Sequence, residues 1–155
     1  MSAQEDSARV RFPPPFVYAL GFIIGLGLQR LVPAYLVPNA WRWPIAALFF
    51  AGWLTVSIPA LATFARTHTP LNPNKPVHEL FTSGIYRITR NPLYVGLALL
   101  YLGGVFEINS VWLLVMLAPV LLFIDIAVVR KEELYLTRKF GEHYTAYKQR
   151  VRRWS

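Results

Sequence analysis

One short stretch of the chain, residues 84–96, combines two cations, a turn and a helix start. Arg87 and Arg90 come just before the pair Asn91-Pro92. Asparagine is a frequent N-cap and proline is favoured at the first helical position, so a helix is predicted to begin at Pro92. The unpaired N–H groups at such a start attract anions, and both arginines add charge of the same sign. The stretch is therefore a candidate anion-binding site.

The same two arginines have a simpler interpretation. Cations commonly mark the cytoplasmic end of a membrane-spanning helix, and on spacing alone this second interpretation of Arg87 and Arg90 is favoured.

Carboxylates follow later in the chain. Asp125 lies inside an apolar run, where a charged group costs about 2.5–3.5 kcal/mol to insert, so it must face neighbouring helices. On a continuous helix Asp125 shares a face with Glu132 and Glu133, because separations of seven and eight residues match two helical turns. The sequence leaves open whether Asp125 makes a buried structural contact or serves in function. A carboxylate pair beside an anion-binding helix start suits a zwitterionic ligand that carries an aromatic ring.

Metal binding is the competing idea for the polar residues. His68 and His78 lie in a proline-rich loop, and together with Glu132 and Glu133 they match no recognised zinc spacing. We expect no metal site, and a structural hydrogen bond explains His78 as well as a ligand role does. The absence of cysteine excludes disulfides and thiolate chemistry.

The elements that must position these residues are membrane-spanning helices. The chain is 55% hydrophobic and only 15% charged, whereas soluble domains carry about 25% charged residues. We predict an all-α integral membrane protein of a single domain, residues 1–155. Its four spans are expected at about 16–32, 44–65, 92–106 and 111–129. The first apolar stretch lacks a small-residue cleavage site, so we expect a retained span and not a removed signal peptide.

A last helix is predicted over residues 142–154, with Tyr144, Tyr147, Val151 and Trp154 on one stripe and cations on the other faces. This pattern is typical of a helix in the lipid headgroup layer. We favour such an interfacial anchor over the alternative that the stripe forms a pocket wall.

The third span is short. Fifteen residues of helix reach about 22 Å, less than the hydrocarbon core of about 30 Å. We therefore expect the Asn91 end of this helix to lie in a recess below the membrane surface.

Orientation follows from the cations. With the amino end inside, fourteen of the sixteen Lys and Arg residues fall on the inner side, and only Arg30 and Arg42 fall outside. Both termini are therefore predicted to be cytoplasmic. The net charge of +8 points to anionic lipid as the partner, not to nucleic acid, because the cations flank apolar runs. The oligomeric state is left open.

Two blocks of the chain carry a family resemblance. The first comprises residues 80–87, Leu-Phe-Thr-Ser-Gly-Ile-Tyr-Arg, and residues 90–96, Arg-Asn-Pro-Leu-Tyr-Val-Gly. The second comprises Glu132-Glu133, Leu136, Phe140-Gly141, Tyr144, Tyr147 and Val151-Arg152-Arg153. Together they resemble the signature of the isoprenylcysteine carboxyl methyltransferase and phospholipid methyltransferase superfamily, over about half the chain.

The resemblance implies an integral membrane methyltransferase that uses S-adenosylmethionine. Its cofactor pocket would be formed by the cytoplasmic ends of the last spans and by the carboxyl-terminal segment. The residues that match the motifs would bind the cofactor: His78, Leu80, Gly84, Tyr86, Arg90, Asn91, Pro92, Tyr94, Gly96, Glu132 and Glu133. Among them Arg90, Asn91 and Glu133 are the candidate catalytic residues, and Glu132 and Glu133 would hold the charged amino-acid part of the cofactor.

The resemblance also bears on the acceptor, which we expect to be lipid or lipophilic. The prenylcysteine enzymes carry Arg-His-Pro where this chain has Arg90-Asn91-Pro92, which points away from prenylcysteine. The span count favours the lipid-methylating and bacterial branches, so we expect the cytoplasmic membrane of a prokaryote. A carboxylate acceptor needs no base, whereas an amine acceptor must lose a proton to Glu132, Glu133 or His78.

Two other functional classes stay open. The third and fourth predicted spans and the carboxyl-terminal segment also resemble the carboxyl-terminal part of nicotinamide-dependent membrane sterol reductases, which are much longer. Alternatively, the chain is a catalytically silent membrane module. Binding of S-adenosylmethionine, of a nicotinamide cofactor or of neither separates the three.

Overall fold

The computed structural model describes residues 12–67 and 79–154. Its α-helices are α1 (Pro14–Leu31), α2 (Asn39–Arg66), α3 (Pro92–Ile108), α4 (Val111–Ile124), α5 (Arg130–Phe140) and α6 (Glu142–Arg150). A 3-10 helix, Gly84–Arg87, precedes α3, and a π-helical segment, Asp125–Val129, joins α4 to α5. Since no strand occurs in these two ranges, the all-α prediction is confirmed for them.

Three helical stretches are long and apolar enough to cross a membrane: Pro14–Leu31, Asn39–Arg66 and Val111–Phe140. This supports an integral membrane protein. The 17 residues of α3 span about 25 Å and form a shorter apolar helix. Four spans and cytoplasmic termini therefore stay predictions.

Local sequence explains where the helices begin and end. Pro92 occupies the first helical position of α3 with Asn91 as N-cap, as predicted. The helix ends at Asn109 in the left-handed region (φ 59°), which asparagine tolerates better than most residues. Ser110 then caps α4 by accepting a hydrogen bond from the Leu113 N–H at 3.2 Å. The turn between α3 and α4 is thus only two residues long.

The second helix starts earlier than predicted. The Trp41 N–H donates to the Pro38 carbonyl at 2.9 Å, so a first turn closes ahead of Pro44, and Trp41 and Trp43 lie within α2.

The helices pack in two main pairs, α2 along α3 and α1 along α4, and α3 and α4 form the hairpin between them. Gly21 and Gly25 of α1 are buried because added Cβ atoms would meet the side chains of Val120 and Leu113 on α4. Gly27 faces open space. The close packing of α1 against α4 therefore occurs at Gly21 and Gly25 and not at Gly27.

The end of the chain departs from the prediction. Gly141 (φ 53°) ends α5, but α6 ends at Arg150, and Val151 is extended (φ −122°, ψ 130°). The predicted helix to residue 154 is wrong, because the carbonyls of Arg152 and Arg153 accept hydrogen bonds from the segment before α3 instead of continuing the helix. We call residues 151–154 the tail.

Candidate functional site

A cavity of about 320 Å³ lies at the Asn91 end of α3, a size at the lower end for small-molecule pockets. Its lining residues come from five of the helices and from the segment before α3. They are residues of α1 and α2 (Pro14, Pro15, Trp53, Ser57, Leu61, Phe64), of the segment before α3 and of α3 itself (Glu79, Leu80, Phe81, Tyr86, Arg90, Asn91, Pro92, Leu93, Tyr94, Leu97), and of α5 and α6 (Glu132, Glu133, Leu136, Tyr144, Tyr147).

The tail fixes the start of α3. The Arg90 N–H donates to the Arg152 carbonyl at 3.2 Å. The Arg153 carbonyl accepts from Thr89 Oγ1 at 3.0 Å and from Asn91 Nδ2 at 3.1 Å. The Asn91 side chain makes no capping bond to its own helix; its amide holds the tail.

Glu133 is held by two arginines. Its Oε1 lies 2.8 Å from Arg90 Nη1, and Arg153 binds both carboxylate oxygens, Nε to Oε1 at 3.0 Å and Nη2 to Oε2 at 2.7 Å. The side chains of Arg90 and Glu133 are only 10% and 13% exposed, so water screens this pair weakly. These bonds to Glu133 raise the pKa of Arg153, which stays charged.

Glu132 has a different environment although it is the next residue. Its Oε2 accepts a hydrogen bond from Tyr94 Oη at 2.9 Å. Within residues 12–67 and 79–154 it forms no ion pair. Glu132 therefore brings to the cavity wall a carboxyl group that no described cation pairs with.

Arg90 also keeps binding capacity. Its Nε is buried and has no hydrogen-bond partner among the described residues, although Nη1 is paired with Glu133. A buried guanidinium N–H without a hydrogen-bond partner is costly, so this end of α3 keeps an unsatisfied donor. Arg87 is exposed. The interpretation as an anion site therefore fits Arg90. The interpretation as a cation that marks the end of a membrane-spanning helix fits Arg87.

Tyrosines of α6 form a buried wall beside these charges. Tyr144 and Tyr147 are 2% and 4% exposed, and burial raises the pKa of each to about 12. Both phenols therefore stay protonated near neutral pH, and Tyr147 Oη donates to the Tyr86 carbonyl at 2.6 Å. The preferred prediction of an interfacial anchor is wrong for these two residues, because their rings pack inward; the pocket-wall alternative is correct.

Asp125 contacts the tail and the helix that follows it. Its Oδ1 accepts from Arg153 Nη1 at 3.2 Å and from Trp154 Nε1 at 3.3 Å, and its Oδ2 pairs with Arg130 Nε at 3.1 Å. It does not line the cavity. Of the two interpretations left open by the sequence, the structural contact is the one that these bonds support.

Most of the predicted site residues meet at the cavity: Leu80, Tyr86, Arg90, Asn91, Pro92, Tyr94, Glu132 and Glu133. Two do not line it. Gly84 opens the 3-10 helix with φ 59°, and Gly96 packs against Ser57 of α2. His78 lies outside the described residues.

Sequence reasoning missed the wall that α2 contributes. Trp53, Ser57, Leu61 and Phe64 are spaced by four, four and three residues, so they share one helical face. That periodicity was available, but in an apolar helix it does not distinguish a cavity wall from a packing surface.

The family model described as phospholipid methyltransferase matches residues 41–143, about two thirds of the chain, from the start of α2 into α6. No curated protein and no solved structure matches.

Proposed function

Because the chain belongs to the phospholipid methyltransferase family, within the superfamily of membrane methyltransferases that includes the isoprenylcysteine enzymes, we propose that it transfers a methyl group from S-adenosylmethionine to a lipophilic acceptor held in the membrane. The family's activity is methyl transfer to lipid. The cofactor, the acceptor and the membrane face are our inference.

One observation carries the proposal. Arg90 Nε is buried and unpaired among the described residues, and Glu132, without an ionic partner in the same ranges, lines the same cavity. An arginine N–H without a partner and a carboxyl group without a described cation, both at one cavity, are complementary to the carboxylate and the ammonium group of the amino-acid part of S-adenosylmethionine.

The rest of the cavity suits the less polar parts of the reactants. Trp53, Leu61 and Phe64 of α2 and Leu97 of α3 supply apolar and aromatic surface. Since α2 is long and apolar enough to cross a membrane, a lipid acceptor would enter sideways between helices, at the face predicted to be cytoplasmic.

For methyl transfer, the main task of the protein is to align the methyl donor with the acceptor. S-adenosylmethionine, when bound, supplies an electrophilic methyl group for in-line displacement by the acceptor. The chain's residues have to hold the two reactants in line and exclude water. A carboxylate acceptor needs no further group. An amine acceptor must give up a proton, and Glu132 is the better proton acceptor of the acidic pair because Glu133 is already bound by Arg90 and Arg153.

Calorimetric titration of the detergent-purified chain tests the cofactor. We expect binding of S-adenosylmethionine and of its demethylated product, and no binding of a nicotinamide cofactor. Preference for the nicotinamide cofactor would favour a reductase. Binding of neither would indicate a silent module and contradict the proposal.

Incubation of membranes with methyl-labelled cofactor then tests the acceptor. Label extracted with lipid, and absent from membranes without this chain, is the expected result. Label recovered only in protein would contradict a lipid acceptor while leaving methyl transfer intact.

A further inference from the structure

Arg153 of the tail makes more ionic contacts at the site than any other described arginine. Its guanidinium binds both oxygens of Glu133, at 3.0 and 2.7 Å, and Asp125 Oδ1 at 3.2 Å. Its side chain is 32% exposed and does not line the cavity. It therefore acts on the cavity only through the residues that it holds.

The backbone around Arg153 is fixed to the same part of the fold. Its carbonyl accepts from Thr89 and Asn91, and the neighbouring Arg152 carbonyl accepts from the Arg90 N–H. The tail thus binds the start of α3 and also two acidic residues, Asp125 in the π-helical segment and Glu133 in α5.

This arrangement decides how Glu133 meets Arg90. An arginine and a carboxylate prefer a bidentate contact through two N–H groups. Arg153 occupies that geometry on Glu133, and Arg90 is left with a contact through Nη1 alone, at 2.8 Å. Arg90 Nε consequently remains without a partner among the described residues. Without Arg153, Glu133 would be free to form the bidentate contact with Arg90 and capture that N–H.

We propose that Arg153 is a positioning residue, which binds Glu133 bidentately and so keeps the guanidinium of Arg90 available to the carboxylate of the ligand in the cavity. The inference rests on the proposed function, because the ligand carboxylate is that of S-adenosylmethionine. It assigns the adjacent carboxylates different tasks: Glu133 orients Arg90, and Glu132 faces the ligand.

The test compares two ligands that differ only in this carboxylate, S-adenosylmethionine and decarboxylated S-adenosylmethionine, by calorimetry on the full chain in detergent. In the unaltered chain we expect the carboxylate to improve affinity about tenfold, within the range for a charge-assisted hydrogen bond. In Arg153→Gln we expect weaker binding of both ligands and a ratio of their dissociation constants near one, because Glu133 then forms the bidentate contact with Arg90. Arg130→Gln is the matched control: Arg130 also pairs with Asp125 but is not bonded to Glu133, so the ratio should stay as in the unaltered chain.

Each outcome has a definite meaning. A preserved ratio in Arg153→Gln, with or without a lower melting temperature, overturns the inference and leaves the proposed function standing. If the unaltered chain does not bind S-adenosylmethionine, the proposed function fails and the inference with it. Should Arg153→Gln not fold, Arg153→Lys decides, since lysine keeps the charge but cannot bind bidentately: a lowered ratio supports the inference and an unchanged ratio overturns it.

Discussion

The two ends of α3 both carry polar clusters, and the clusters differ in what they leave unpaired. At the Asn109 end, Asn109 Oδ1 accepts from the N–H groups of Leu36 and Val37, each at 3.0 Å, and Nδ2 donates to the Val37 carbonyl at 2.8 Å. Ser110 Oγ donates to Gln29 Oε1 at 2.9 Å. Neither Asn109 nor Ser110 has a buried side-chain atom without a partner.

The Asn91 end consists of charged groups, some of which have no ionic or hydrogen-bonding partner of opposite charge among the described residues. Arg90 keeps an unpaired Nε, and Glu132 has a tyrosine as its described partner, without a cation. Both face a cavity. Buried polar groups are normally paired, so an end that leaves them open gives up stability. One end of α3 therefore holds the fold together, and the unsatisfied groups at the other end support the ligand-binding role that we propose for it.

Glu132→Gln is expected to have the largest effect, and it should change ligand affinity without lowering stability. Removing one partner of a buried charge pair costs about 2–5 kcal/mol, so affinity for S-adenosylmethionine should fall roughly 30-fold or more. The melting temperature should stay the same or rise, because a buried carboxyl group without a described cation is replaced by a neutral amide. Calorimetry and thermal unfolding of the same detergent preparation measure both.

Glu107→Gln is the matched control for that variant. Glu107 lies in the last turn of α3, near Asn109 and away from the cavity. The same chemical change there should leave affinity within about twofold, as expected for a carboxylate that does not touch the ligand. A Glu132→Gln protein that binds normally but melts earlier would reverse our assignment of the two ends.

Asn109→Ala tests the opposite end. The substitution leaves the Leu36 and Val37 N–H groups without their acceptor and places alanine at a left-handed φ of 59°. Together these effects should lower the free energy of unfolding by about 2 kcal/mol, with cofactor affinity unchanged. Asn109→Asp keeps the acceptor oxygen and should lose less. Equal losses in the two variants, or weakened cofactor binding, would show that the cluster does not act as a structural lock.

Local signals predicted much of this molecule. The pair Asn91-Pro92 indicated the start of α3, because helix caps depend on a few adjacent residues. The spacing of Glu132 and Glu133 after the last apolar run, together with the cations before α3, also predicted that these groups meet. The family resemblance was confirmed by the match to phospholipid methyltransferase.

Contacts between distant parts of the chain were not predictable in the same way. The tail leaves its helical pattern after Arg150 because its carbonyls find donors at Thr89 and Asn91, more than sixty positions earlier. Helical periodicity carries no record of such a pairing. The two glutamates looked equivalent for a related reason: only the docked tail gives one of them an arginine fork and leaves the other with a tyrosine.

Gly96→Ala gives the smallest expected effect and locates the boundary between the binding end and the packing part of α3. The family resemblance implies a cofactor role for Gly96, whereas in the structure an added Cβ would meet Ser57 Oγ of α2. If packing is its task, alanine should cost about 1 kcal/mol of stability, at the low end for overpacking because a serine hydroxyl can rotate away. Affinity for S-adenosylmethionine should not change.

The double variant Gly96→Ala/Ser57→Ala separates the two roles. Removing the Ser57 hydroxyl leaves its Cβ about 3.5 Å from the new methyl group, an ordinary contact, so thermal unfolding should return toward that of Ser57→Ala alone. A cofactor role predicts instead that Gly96→Ala weakens binding and that Ser57→Ala does not restore it. In that case the ligand-binding part of α3 would extend at least one helical turn beyond Pro92, into the packed bundle.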